Sequence, residues 1–196
     1  MKIGLFFGSF NPIHVGHLII ADHIAQFTDL SEVWLVVSPH NPLKNKSSLA
    51  KDHDRLHLVQ LAIENNPRLK VSSVEFNLPK PSYTIDTLTY LQEKHPHKEF
   101  CLIMGSDNLQ SIERWKNYEL LLDYYDKYVY NRAGYDQIPE HLQKRVIFVD
   151  APLLQISSTM IRDRIEEGKS VQYLVSDKVF VYLEASNMYK NVKNRG

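Results

Sequence analysis

The sequence predicts an α/β fold: a doubly wound, mainly parallel sheet with helices on both faces. Three observations lead there. Apolar runs of about five residues recur, continuous and not alternating, as strands covered on both faces are. Between them lie stretches with apolar residues at helical spacing. Strand and helix alternate almost from the first residue, an order that builds parallel sheets through crossover connections.

Ile3-Gly4-Leu5-Phe6-Phe7 reads as the first buried strand. A glycine-containing loop follows, and from Gly16 onward Leu18, Ile19, Ala21, Ile24 and Ala25 recur at helical spacing. Val33 to Val37 is the second strand. The polar loop from Ser38 to Asp52, with Pro39, Pro42, Lys44 and Lys46, has the length and lack of periodicity of a binding loop. Leu56, Val59, Leu61, Ala62 and Ile63 mark a helix that ends before Pro67. Val71 to Val74 reads as a short strand. Ser82 and Thr84 are N-cap candidates for a helix carrying Ile85, Leu88 and Leu91.

Phe100 to Met104 is a strand ending at Gly105, Trp115 to Leu122 a helix, and Lys127–Tyr130 and Val146–Val149 are further strands. Ile156, Met160, Ile161 and Ile165 share a helical face, with Gly168 as its C-cap. A last helix covers about Ser176 to Ala185. No repeat, low-complexity tract or linker interrupts this order, so residues 1–196 read as one domain with a C-terminal helical part from about residue 157. Ligands bind such sheets beyond the carboxyl ends of the strands, so the loops after Phe7, Val37 and Met104 should converge.

Composition narrows the function. With 23 Lys and Arg against 23 Asp and Glu the net charge is zero, which excludes a nucleic-acid polymer as partner. Cys101 is the single cysteine, so neither an internal disulfide nor a four-cysteine zinc site can form. No run approaches the roughly 20 apolar residues of a membrane helix, and Met1-Lys2 leads directly into a strand without a signal peptide. The expected setting is cytoplasmic, with no membrane partner. Any charged ligand must then be held by local geometry.

The densest signal is Gly8-Ser9-Phe10-Asn11-Pro12-Ile13-His14-Val15-Gly16-His17, which leaves the first strand and opens the first helix. Backbone N–H groups and the helix dipole favour phosphate there. His14 and His17, three apart, point to one side and can donate to phosphoryl oxygens. The spacing is neither Gly-x4-Gly-Lys-Ser/Thr nor Gly-x-Gly-x-x-Gly. Taken singly, the glycines also fit a steric role and the histidines a solvated loop. Ile156-Ser157-Ser158-Thr159-Met160-Ile161-Arg162 opens the late helix. Its hydroxyls can cap free N–H groups or contact a phosphate, and Arg162 can reach the same anion with a forked pair of donors.

Gly8-x-Phe10-x-Pro12-x-His14-x-Gly16-His17 is similar to one signature of the nucleotidyltransferase superfamily, and Ile156-Ser157-Ser158-Thr159-x-x-Arg162 to another. Lys51-Asp52-x-x-Arg55-x-x-Leu58, Pro81-Ser82-Tyr83-Thr84-x-x-Thr87-Leu88, Gly105-Ser106-Asp107 and Trp115 resemble the nicotinate-nucleotide adenylyltransferase family over nearly the whole chain. The resemblance implies a Rossmann-like fold and transfer of AMP from ATP to nicotinate mononucleotide, giving deamido-NAD and pyrophosphate in NAD biosynthesis. Mg²⁺ would arrive with ATP, no residue being set aside as a metal ligand, and the resemblance leaves a homo-oligomer open.

The same resemblance distributes roles. Gly8, Ser9, Phe10, His14, Gly16, His17, Gly105, Asp107, Ile156, Ser157, Ser158 and Arg162 would bind ATP, with Asp107 at the ribose. His14, His17, Lys44 and Arg162 would be catalytic, His17 at the α-phosphate and the others on the β and γ phosphates. Asn11, Lys44, Ser82, Tyr83, Thr84, Trp115 and Arg132 would bind nicotinate mononucleotide. There Trp115 would stack on the pyridine ring, and the Thr84 region would offer backbone N–H groups to the ring carboxylate. Arg132 would meet the 5′-phosphate. Phe7, Asn11 and Ala133 stand where the family usually has Gly, Asp and Pro.

Three other readings compete. His53, Asp54 and His57 could share a helix face as a metal phosphohydrolase would need. A non-catalytic nucleotide sensor could keep the fold. Within enzymes, the acceptor could instead be nicotinamide mononucleotide or phosphopantetheine.

Overall fold

The computed structural model describes residues 1–39, 49–135 and 137–190. In chain order the strands are β1 (Lys2–Gly8), β2 (Glu32–Val37), β3 (Leu69–Ser72), β4 (Glu99–Gly105), β5 (Lys127–Tyr130) and β6 (Val146–Val149). The helices are α1 (Val15–Phe27), α2 (Asp52–Ile63), α3 (Thr84–Lys94), α4 (Ser106–Gln110), α5 (Tyr118–Tyr124), α6 (Ser158–Glu166) and α7 (Asp177–Ala185). All strand pairs are parallel, in the order β3-β2-β1-β4-β5-β6. The sheet is thus wholly parallel among the described residues, and Rossmann-like.

Alternation along the strands fills two cores. Phe6, Val33, Leu35, Val37, Cys101, Ile103, Tyr128 and Tyr130 meet α1, α2, α6 and α7 on one face. Ile3, Leu5, Val36, Leu102, Met104 and Val129 meet α3, α4 and α5 on the other. Both faces being covered, the middles of β1 and β4 are apolar and buried, while Lys70 of β3 and Phe148 of β6 are exposed on the edge strands. Strand order reverses between β1 and β4, which opens a crevice at their carboxyl ends. The loop after β2 joins there, Ser38 N donating to Gly8 O at 2.9 Å.

Three local expectations are corrected. The third strand is Leu69–Ser72, two residues earlier than read: Ser72 Oγ accepts from Val74 N at 3.3 Å and the chain turns into a 3₁₀ segment, Val74–Asn77. Neither Ser82 nor Thr84 caps α3. Tyr83 holds the N-cap position without a side-chain bond, because the Ser82 hydroxyl is directed at Glu75, 3.2 Å away. Trp115 is not helical. It ends a 3₁₀ turn, Ile112–Arg114, in extended backbone, and Asn117 in the left-handed region (φ 50°) delays α5 to Tyr118.

Gly168, read as the C-cap of α6, sits one position beyond the cap Glu167 with φ +71°. Its N–H bonds Ile165 O at 3.0 Å and that of Lys169 bonds Arg164 O at 2.8 Å, closing the last turn as a Schellman motif. Among the described residues no helix is long and apolar enough to cross a membrane.

Candidate functional site

The loop leaving β1 is held from within. Phe10, at φ +43°, is buried, its ring against the Cα of Gly8 and edge-on to Phe6 and His17. Its side chain therefore shapes the loop from the core side. Asn11 is buried too, and its Oδ1 accepts from Ala50 N at 3.1 Å and from the Tyr189 hydroxyl at 2.8 Å. That oxygen, expected at the mononucleotide, is engaged inside the protein.

His14 occupies the N-cap of α1 and lies over Gly16, where a side chain would press on the His14 ring. Burial, helped by the nearby positive charge of Arg132, lowers its pKa to about 4, so the ring is neutral near pH 7. Its Nδ1 is shut from solvent with no hydrogen-bond partner among the described residues. His17 stacks on it with centroids 3.7 Å apart, and His17 Nδ1 accepts the His14 backbone N–H at 3.3 Å. An accepting Nδ1 carries no proton, which leaves the other ring nitrogen, Nε2, as the donor.

The second motif closes on the first. Ser157 caps α6, accepting from Met160 N at 3.2 Å, and Ile156 packs half-buried on the core. Ser158 Oγ donates to Pro12 O at 2.9 Å, and Arg162 Nη1 to Asn11 O at 2.8 Å. Residues about 150 apart in sequence thus form one wall beside the start of α1.

A third wall comes from the ends of β4 and β5. Asp107 Oδ1 lies against Gly105, buried without a hydrogen-bond partner among the described residues, 3.9 Å from Arg132 Nε. Arg132 is anchored by its backbone N–H to Ser106 Oγ at 2.8 Å, and its side chain lies over the Tyr130 ring. Its positive charge is felt at His14, whose pKa it helps to lower. Lys44 lies outside the described residues.

On the other side of β1, Ser82, Tyr83 and Thr84 precede and open α3, all half-buried. Lys116 ties this segment to Trp115. Its Nζ pairs with Asp86 at 2.8 Å and sits 5.0 Å from the Tyr83 ring centre. Trp115 and Tyr83 both pack, half-exposed, on the α3-side core. A ring-sized surface next to the backbone N–H groups of an eleven-residue helix start can hold a flat anion.

Three residues without an assigned role prove central. Arg55 is fully buried, and its guanidinium donates to Ser9 O, to Ser38 O at 2.9 Å, to Pro39 O at 3.3 Å, to Ala50 O at 3.0 Å and to Asp52 Oδ1 at 2.7 Å. It joins the loops after β1 and β2 to the start of α2. Glu75 is buried among hydroxyls, and burial raises its pKa. Tyr189 reaches Asn11 from beyond α7. Arg55 stood inside a quoted motif; Glu75 and Tyr189 carried no local signal.

The phosphohydrolase constellation is not assembled. His53 meets the Phe76 ring edge-on and His57 meets Tyr182. Among the described residues one group could surround a metal, Glu99, Cys101 and Asp126, near the amino ends of β4 and β5 and so away from the crevice. There Asp126 already pairs with Lys2 and Arg145, and burial pushes the Cys101 thiol up to about 12.

The cytidylyltransferase-like family profile matches residues 5–164. A protein of Flavobacterium johnsoniae, described as "Probable nicotinate-nucleotide adenylyltransferase", is 52% identical over 194 residues, 97% of this chain and 100% of the relative. One of Flavobacterium psychrophilum with the same description is 53% identical over 192 residues, again 97% and 100%. The solved Plasmodium falciparum nicotinic acid mononucleotide adenylyltransferase complexed with NaAD superposes with a TM-score of 0.79 at 22% identity, over 96% of this chain and 97% of that one. At that identity the likeness concerns the fold.

Proposed function

The chain belongs to the nicotinate-nucleotide adenylyltransferase family, and from that premise we propose that it joins ATP to nicotinate mononucleotide, forming deamido-NAD and pyrophosphate. The observation that carries the reading is the stitching of the two motifs, Ser158 to Pro12 and Arg162 to Asn11, around the start of α1. It gathers imidazoles, a guanidinium, hydroxyls and helix N–H groups where a triphosphate has most need of donors.

A 5′-phosphate oxygen of the mononucleotide attacks the α-phosphorus of ATP in line. A new P–O bond forms as the bond to pyrophosphate breaks. The attacking oxygen is already anionic, so no general base is required, and catalysis rests on position and charge. His17 presents its Nε2–H to the α-phosphoryl oxygens as charge builds. Neutral His14, Arg162, Lys44 and the backbone N–H of Ser158 hold the β and γ phosphates, the Ser158 hydroxyl being given to Pro12 O. Asp107 takes the ribose and Arg132 a phosphate oxygen, while Trp115 stacks on the pyridine and the start of α3 receives its carboxylate. The donors at the site suit phosphate oxygens, so a divalent cation, Mg²⁺ in this reading, is held by the nucleotide and water more than by carboxylates. Such an ion would neutralise charge on the leaving pyrophosphate.

The test is pyrophosphate release from ATP with nicotinate mononucleotide, nicotinamide mononucleotide or phosphopantetheine as acceptor. Nicotinate mononucleotide should support the fastest release. Preference for either other acceptor overturns the substrate assignment, and tight ATP binding without release identifies a sensor.

A further inference from the structure

We infer that Glu75 is a positioning residue for the acceptor, fixing the Ser82–Thr84 segment relative to the phosphate-binding loop; this rests on the adenylyl-transfer reading above. Glu75 lies in the 3₁₀ segment after β3 and is 2% exposed. Its Oε1 accepts the Thr87 hydroxyl at 2.9 Å and its Oε2 the Ser82 hydroxyl at 3.2 Å, and the carboxylate also accepts the Ser38 hydroxyl. These hydroxyls come from three separate places: the first turn of α3, the residue before its N-cap, and the loop after β2.

Ser38 extends the connection. Its backbone N–H donates to Gly8 O, and its carbonyl accepts from Arg55, which also holds Ser9 O. A continuous set of bonds therefore runs from Ser82 through Glu75 and Ser38 to the loop after β1. A knot needed only for stability would be served as well by apolar side chains, because a buried carboxylate costs solvation that hydroxyls only partly return. What the carboxylate adds is direction. It accepts along defined lines and sets where the start of α3 stands with respect to the triphosphate.

In-line transfer requires that separation to be held closely. Glu75→Gln keeps the shape but turns one acceptor into a donor. Thr87→Val removes one hydroxyl while conserving volume, and serves if Glu75→Gln folds poorly. In steady-state pyrophosphate release, both variants should raise KM for nicotinate mononucleotide about tenfold while KM for ATP stays within about twofold. The preference for the nicotinate over the nicotinamide acceptor should shrink in parallel. In hydrogen exchange, the amides of residues 82–87 should exchange about tenfold faster, with protection of α1 unchanged.

An unchanged acceptor KM, or equal rises for both substrates tracking a lowered Tm, overturns the inference. If the parent protein turns over no mononucleotide, the adenylyl-transfer reading falls. The exchange measurement then decides the positioning role alone, and unaltered exchange at residues 82–87 refutes it.

Discussion

The rings of His14 and His17 stack 3.7 Å apart and 26° from parallel, yet they stand in different surroundings. His14 is enclosed and kept neutral by burial and by Arg132. His17 is orientated by the backbone N–H of His14, which leaves Nε2 as its donating nitrogen. One histidine thus sets the direction of the other.

Stability should fall as the solution is acidified from about pH 6.5 to about pH 4. Unfolded His14 takes up its proton near the ordinary 6.5 and folded His14 only near 4, so between those values the unfolded chain binds more protons. The loss is at most about 3 kcal/mol at the acid end. Urea unfolding across this window should show a smaller acid loss for His14→Asn than for the parent. Equal losses would mean that the His14 ring is protonated in the folded state.

His17→Ala should lower the rate of pyrophosphate release about 10²-fold or more, with a much smaller change in ATP affinity. Rapid-mix turnover set beside equilibrium ATP binding separates the two. Near-normal release would remove His17 from the α-phosphate.

Arg55→Met should cost about 3–5 kcal/mol in chemical denaturation, since it strands four carbonyls and Asp52 around a buried site. A loss below about 1 kcal/mol would show that the loops after β1 and β2 hold each other without it.

Gly168→Ala should cost about 1 kcal/mol with pyrophosphate release unchanged. A Cβ there meets nothing within 4 Å, so the cost belongs to the backbone at φ +71°. A neutral or stabilising substitution would mean that the turn after α6 relaxes freely.

Strands were the most legible part of the sequence because both faces of the central strands are buried, so these are continuous apolar runs, whereas Leu69-Lys70-Val71-Ser72 is interrupted by polar residues and reads two residues late. The helix starts at Val15 and Ser158 were legible through their motifs. Trp115 was misplaced because apolar spacing cannot reveal a left-handed residue such as Asn117 two positions on. Ser82 and Thr84 looked like caps because short hydroxyl side chains suit that role, but Ser82 is taken by a carboxylate seven residues earlier. Arg55, Glu75 and Tyr189 act across long sequence separations through backbone carbonyls and single hydroxyls, and such partners leave no periodicity to read.

The bonds from Ser158 to Pro12 and from Arg162 to Asn11 bear on when the protein becomes competent during synthesis. The loop after β1 leaves the ribosome about 150 residues before α6 does. A growing chain can assemble most of its sheet and still lack the wall beside the start of α1. The order of the loop after β1 is therefore tied to the arrival of α6, about 150 residues later in the chain.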